Sequence, residues 1–358
     1  MFLESGEGMS RRFSQSVVGL VLVLLALTVR GGEGVYAFAT EAEVEAARAA
    51  FVVHMGARHD FTPDEVEQAL QSAQVSAEIL RLISTPAERT EPWYTYRRRV
   101  SASRIEKGIA FARTHAEALA VAEKTYGVPP EVVTAILGLE TNYGAYPLRH
   151  RVIDALVTLA FYYPPRAETF LPQLEDFLVL VKEEQVPITE IKGSYAGAMG
   201  VPQFMPTSYR TWAVDFNSDG ARDIWTSMDD VVGSVAAYLA AHGWVRGGGL
   251  VVPVSVAASF SFGALTEGIR PGAPLAEFLA AGVSPRASIE LPPDTTPAAL
   301  LEMAGGPEHM DHWLVLDNFY CITRYNHSAK YAMVITELAQ AIAEGLATDL
   351  EGDGHAAQ

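Results

Sequence analysis

A chain of 358 residues is long enough for one large or two ordinary domains, and its 49% hydrophobic content is enough to build a core. Its 43 acidic against 26 basic side chains give a formal net charge of −17. That balance excludes nucleic acid and anionic lipid as partners, because both are bound through clustered Lys and Arg.

The N-terminus sets the compartment. Arg11 and Arg12 precede an apolar run from Val17 to Val29, and Ala37-Phe38-Ala39 follows with small residues at an A-x-A spacing. This is the three-part pattern of a secretory signal peptide over residues 1–39. The run has 13 residues, short of the roughly 20 that cross a bilayer, so no stable membrane insertion is expected. An uncleaved anchor is the rival reading. The sole cysteine, Cys321, lies far from the cleavage site. It excludes a lipoprotein anchor there and any intrachain disulfide. The expected address is the periplasm.

Residues 40–126 read as a helical region, Ala- and Glu-rich with helical periodicity from Glu41 to about Ser84. Thr62 is placed to cap a helix that starts with Pro63, and a second long helix is expected from Ser101 to Tyr126. Pro129-Pro130 then opens the run EVVTAILGLE, in which Val132, Val133, Ile136 and Leu137 form a buried stripe. Glu140 falls four residues after Ile136 and three after Leu137, on the edge of that stripe. Asn142 and Gly144 are suited to ending the helix. One carboxyl therefore sits at the C-terminal end of a buried helix. Apolar surroundings and the negative end of the helix dipole both favour its protonated form, and a neutral Glu can donate a proton. The same position also suits an ordinary polar residue closing a helix.

Helices are expected over Val152–Phe161, Ala167–Lys182 and Val231–His242. Between the last two lies Gly193–Gly200, rich in residues that allow close backbone approach. After Gly247-Gly248-Gly249 the character changes. Val251–Val256 and Trp313–Leu316 read as strands, so residues 249–318 form a small β-containing module. Tyr331–Ala347 returns to helix, and residues 348–358 read as a disordered tail. The fold class is mainly α.

A second signal is Asp215-Phe216-Asn217-Ser218-Asp219-Gly220, the D-x-N-x-D-G start of a calcium loop, in which hard cations want clustered oxygens. Position twelve is Thr226 rather than Glu, so this is not a standard EF-hand. An Asx-rich turn without metal is the competing reading.

Together, GLETNYG at 138–144, ALVTLAFYYPPRAETF at 155–170, KGSYAGAMGVPQFMPTSYRTWAVDFNSDG at 192–220, GSVAAYLAAHGW at 233–244 and ITRYNHSAKYA at 322–332 resemble the lytic murein transglycosylase B family. The resemblance spans most of the chain after the signal, in order and with preserved spacing. It implies a lysozyme-like helical core over 127–248, an added helical region over 40–126, the β module at 249–318, and a C-terminal helical segment over 319–347 returning to the core. It also implies cleavage of the β-1,4 bond between N-acetylmuramic acid and N-acetylglucosamine of peptidoglycan, with 1,6-anhydromuramic ends as product. Other cell-wall enzymes enter as further partners that the residues do not specify.

The resemblance places Glu140 on the family's catalytic acid. It makes Ser194, Gln203, Tyr238, Tyr325, Asn326 and Tyr331 groove-lining or acid-supporting groups. Arg166 matches one of a pair of arginines expected near stem-peptide carboxylates, the other position being Pro165 here. The calcium loop is expected to draw on Asp215, Asn217, Asp219 and the carbonyl of Ala221, closed by Asp230 with Asp229 as rival. Its role would be structural, and no cofactor is expected in the chemistry. Only one Glu sits in a motif, which suits a reaction that adds no water, since most glycosidases use two carboxylates. A hydrolytic muramidase, a non-catalytic peptidoglycan-binding scaffold and a calcium-dependent adhesion or sensor module remain the alternatives.

Overall fold

In the computed structural model the described residues are 39–84, 91–260, 268–286 and 290–356. The export signal expected over 1–39 lies outside them except for its last residue. The N-terminal helices are α1 (Glu41–His59), α2 (Pro63–Gln71), α3 (Ala77–Ser84) and a single turn, α4 (Trp93–Tyr96). Thr40 and Thr62 each form a full capping box, with Glu43 and Glu65 respectively. Each box satisfies two backbone donors that a helix start leaves open.

The long helix expected from Ser101 is two: α5 (Ala102–Thr114) and α6 (Ala116–Tyr126). The Thr114 hydroxyl bonds back to the Ala110 carbonyl at 2.9 Å, which tends to bend a helix. His115 then leaves helical geometry, with φ −111° and ψ 27°. Helix α7 (Pro130–Thr141) follows, almost wholly buried.

A short strand β1 (His150–Arg151), helices α8 (Val152–Tyr162) and α9 (Ala167–Glu184), strand β2 (Lys192–Gly193), and helices α10 (Pro206–Trp212) and α11 (Met228–Ala241) complete the helical body. Beyond it come β3 (Val251–Val256), β4 (Ala273–Pro274), α12 (Leu275–Ala280), β5 (Val283–Pro285), β6 (Pro297–Gly306) and β7 (His309–Val315). These strands form an antiparallel sheet in the order β4-β6-β7-β3-β5.

The sheet has two buried faces, because successive side chains point opposite ways. Trp313, Val315, Ala299 and Leu301 belong to the main core, where Trp313 meets Trp93 edge-on at 6.4 Å. Leu314, Val252 and Val254 face the other way and pack with Phe278 of α12 in a small core of their own.

The chain returns through α13 (Asp317–Tyr325) and α14 (Ala329–Ala356). Residues 348–356, expected as part of a disordered tail, continue α14. Once its packed part is nucleated, each further residue adds a backbone hydrogen bond at little cost. Val334, Ile335, Leu338 and Ile342 on its buried face supply that nucleus. No described helix is long and apolar enough to cross a membrane.

Candidate active site

Helix α7 ends where the sequence indicates, with Asn142 left-handed at φ 51° and its amide bonded to the Gly138 carbonyl at 3.2 Å. Tyr143 is also left-handed, at φ 62°. Its ring folds back over Gly138, where an added Cβ would meet the Tyr143 hydroxyl at 2.5 Å. That notch explains the glycine two residues before Glu140. The Tyr143 hydroxyl donates to the Arg104 carbonyl at 2.7 Å, tying α7 to α5. Thr141 secures the other side, since its hydroxyl donates to the Val201 carbonyl at 2.9 Å and accepts from Gly144 N at 3.0 Å.

Glu140, held on this braced turn, is half-buried. Tyr331, near the start of α14 and 3% exposed, donates its hydroxyl to Glu140 Oε1 at 2.6 Å. Burial first, and then the Glu140 carboxylate, push the Tyr331 phenol well above its ordinary value. The hydroxyl therefore stays protonated at neutral pH and acts as a donor. Tyr325 lies parallel to Tyr331, with ring centroids 6.5 Å apart and planes at 8°. Its hydroxyl donates to the Pro202 carbonyl at 2.5 Å, and burial and Glu140 raise its phenol likewise.

The loop 193–204 is folded back on itself. An added Cβ at Gly193 would lie 2.2 Å from the Ala198 carbonyl, so only glycine allows this approach. Ser194 Oγ accepts from Ala198 N at 3.1 Å and Ala196 N at 3.3 Å. Gln203, left-handed at φ 55°, donates from Nε2 to the Gly200 carbonyl at 2.9 Å. Asn326 caps the end of α13 in extended geometry, directly after Tyr325. The bonds from Thr141 to Val201 and from Tyr325 to Pro202 seat this loop against the Glu140 turn.

Tyr238 and Arg166 are engaged by residues other than Glu140. Tyr238 is 7% exposed, with its hydroxyl donating to the Arg324 carbonyl at 2.6 Å. Its ring lies between His242 at 3.9 Å and Tyr325 at 4.9 Å, and burial pushes its phenol up to about 12. It supports Tyr325 from behind. Arg166 is exposed, with its guanidinium 5.1 Å from the Phe170 ring, and no contact joins it to the Glu140 cluster.

The Asp215–Asp219 loop is partly assembled. Asp219 N donates to Asp215 Oδ1 and Asn217 Oδ1, both at 3.0 Å, and Asn217 Nδ2 lies 2.9 Å from Asp219 Oδ2. Ala221 follows, exposed, its amide bonded to Asp219 Oδ1 at 3.0 Å. Asp230 is fully buried, and its carboxylate accepts from Phe216 N at 2.7 Å and Asp223 N at 2.9 Å. Among the described residues no three Asp, Glu, His or Cys side chains converge to hold a metal ion. Asp230 thus latches the two limbs of the loop through their backbone amides. A buried carboxylate must be matched by donors, and the loop amides supply them. Its rival Asp229 is exposed on the first turn of α11. The oxygens of Asp215, Asn217 and Asp219 still suit a hard cation by chemistry.

The elements no motif announced are Tyr96, Arg99, Arg104 and Tyr146. The Arg99 guanidinium sits 3.9 Å from the Tyr96 ring centroid, and Tyr96 in turn adds to the field on Tyr331. Arg104 and Tyr146 meet beside the end of α7, with the Tyr146 hydroxyl 3.4 Å from Arg104 Nη2.

A carboxyl engaged by a phenol, on a braced helix end beside stacked aromatic rings in a helical body, defines a lysozyme-like, glycan-cleaving class of enzyme. The family model for the transglycosylase SLT domain matches residues 43–340. The chain is 38% identical over 303 residues to the membrane-bound lytic murein transglycosylase B of Escherichia coli strain K12, covering 82% of this chain and 81% of that protein. It belongs to the lytic murein transglycosylase family that carries this domain. The soluble lytic transglycosylase SltB1 of Pseudomonas aeruginosa superposes with a TM-score of 0.77 at 41% identity, over 83% of this chain and 98% of that one. The Escherichia coli lytic transglycosylase Slt35, solved in complex with calcium, gives 0.74 at 36% identity, over 84% and 94%.

Proposed function

We propose that this chain is a peptidoglycan lytic transglycosylase that uses Glu140 as its single acid and base. The observation that carries this reading is the Tyr331 hydroxyl on Glu140 Oε1 at 2.6 Å. A phenol kept protonated holds one carboxyl oxygen in place, so the transferable proton is assigned to Oε2. Glu140 gives that proton to the glycosidic oxygen between N-acetylmuramic acid and N-acetylglucosamine, and the C1–O bond breaks. The muramic C6 hydroxyl then attacks C1 and returns its proton to Glu140, closing the 1,6-anhydro ring. Because nucleophile and electrophile belong to one sugar, proximity replaces a positioned water.

Ser194, Gln203, Asn326 and Tyr325 border the groove with hydroxyl, amide and ring faces for the sugars, while the buried Tyr331 supports the acid. Arg166, exposed beyond them, is left to the peptide substituents. A calcium ion, where bound, would be held by Asp215, Asn217, Asp219 and the Ala221 carbonyl, with Asp230 closing the loop, and would stiffen the loop without entering the chemistry. Cleavage after Ala39 would export the enzyme to the periplasm. Thr40, the residue after that point, caps α1, which supports a mature chain that begins there.

Mass analysis of fragments released from purified sacculi tests the reading. Anhydro ends are expected. Reducing ends would make the enzyme a hydrolytic muramidase, and binding without release would make it a scaffold.

A further inference from the structure

Arg104 is a guanidinium with an unusual set of partners. Among the described residues no carboxylate pairs with it, although the chain carries a net charge of −17. Its Nη1 donates to the Arg99 carbonyl. Its Nε is buried without any partner. Its Nη2 has only a long contact, 3.4 Å, to the Tyr146 hydroxyl. Nε and Nη2 share one edge of the guanidinium, and their two N–H groups point the same way. That edge is the fork that grips a carboxylate through two parallel bonds. A buried donor left unmatched is costly, so the fork is poised for an acceptor.

Its position matters as much as its chemistry. Tyr146 is 48% exposed and its amide bonds the Thr141 carbonyl at 2.9 Å, which fixes it one turn beyond Glu140. The Arg104 carbonyl holds Tyr143 over the same helix end. On the opposite side Arg104 reaches Arg99, whose guanidinium lies on the Tyr96 ring. The fork therefore stands at the lip of the Glu140 site. Tyr146 caps it, and a ring that exposed can turn aside about its two side-chain torsions.

We propose that Arg104 and Tyr146 form a carboxylate clamp that receives a carboxylate of the peptide carried by the glycan, so that the enzyme favours peptide-bearing over neutral strands. This rests on the proposed function, since the clamp borders the groove assigned to the glycan. Arg104 positions substrate and takes no part in proton transfer. It answers to the substituent, whereas Glu140 answers to the sugar bond.

The test compares parent, Arg104→Gln and Arg104→Lys on two substrates, native sacculi and sacculi whose carboxyl groups have been converted to amides. Anhydro ends are counted for kcat/KM, and melting temperature is recorded for each variant. For parent enzyme, amidation should lower kcat/KM by about tenfold, the loss of one good charge-assisted pair. Arg104→Gln should show the same loss on native sacculi and no further loss on amidated ones. Arg104→Lys keeps the charge but not the fork, so it should fall between. Losses that multiply across substrate and substitution, or native activity unchanged in Arg104→Gln, would overturn the clamp while leaving the proposed function intact. Absence of anhydro ends from parent enzyme on both substrates would overturn the proposed function, and the clamp with it.

Discussion

Tyr331 donates its hydroxyl to Glu140 Oε1 at 2.6 Å, joining the start of the last helix to the end of α7 across 191 residues of sequence. A hydrogen bond to a charged partner is worth about 1.5–3 kcal/mol, and here it is spent on aiming the carboxyl. Tyr331→Phe keeps the ring and its stacking on Tyr325. It should lower kcat roughly 10–100-fold, as that energy implies, with a melting temperature near the parent's. A kcat within twofold of parent would remove Tyr331 from the account.

Glu175 of α9 clamps α1. It accepts from His59 at 2.6 Å and His54 at 2.8 Å, with Arg58 at 3.7 Å. Burial alone would raise this carboxyl, but the bonds from His59 and His54 outweigh it and hold it below its ordinary value. A depressed carboxylate stabilises the fold above its unfolded pKa, and that stabilisation is lost as pH falls through the folded pKa. Glu175→Gln should therefore cost about 1–2 kcal/mol at neutral pH. The gap to parent should close as pH drops below about 4. Denaturant midpoints at both pH values measure this, and a gap that persists unchanged in acid would contradict it.

Calcium should raise the melting temperature of the parent, because a ligand bound only by the folded state stabilises it. Asp219→Ala removes one of the loop's carboxylates and should abolish the rise. Anhydro-end release at saturating substrate should persist in the variant. A parent melting curve indifferent to both calcium and chelator would remove the ion from the loop.

Export predicts a mature chain that starts at Thr40. N-terminal sequencing of protein from the periplasmic fraction should read Thr-Glu-Ala-Glu. Intact Met1 in the membrane fraction would contradict the cleavage site.

Much of this site is written locally. The stripe Val132–Leu137, the cap Asn142 and the placement of Glu140 follow from helical period alone, and α7 has those ends. Other parts come from tertiary contacts that no window of sequence contains. Strand β6 reads PAALLEMAGG, residues at home in helices. It is a strand because Ala298, Ala299, Leu301 and Met303 are needed on the two buried faces of the sheet, and packing overrides propensity there. Tyr238 and Tyr331 carry the same side chain and both fall in motifs. Only the fold separates them, by giving one hydroxyl to the Arg324 carbonyl and the other to Glu140. The break at His115 and the clamp at Arg104 had no pattern to announce them.

Glu140→Gln tests the central claim most directly. Gln keeps the size of Glu and some of its hydrogen bonding but can neither give nor take a proton. General acid–base catalysis contributes about 10²–10⁴-fold, and both proton transfers are assigned here to one carboxyl. Parent and variant should be compared for release of anhydro-muropeptides from sacculi, for sedimentation with sacculi, and for melting temperature. The account predicts release lowered by at least about 10²-fold, with binding and melting close to the parent's. Anhydro ends released by Glu140→Gln at the parent's rate would contradict it.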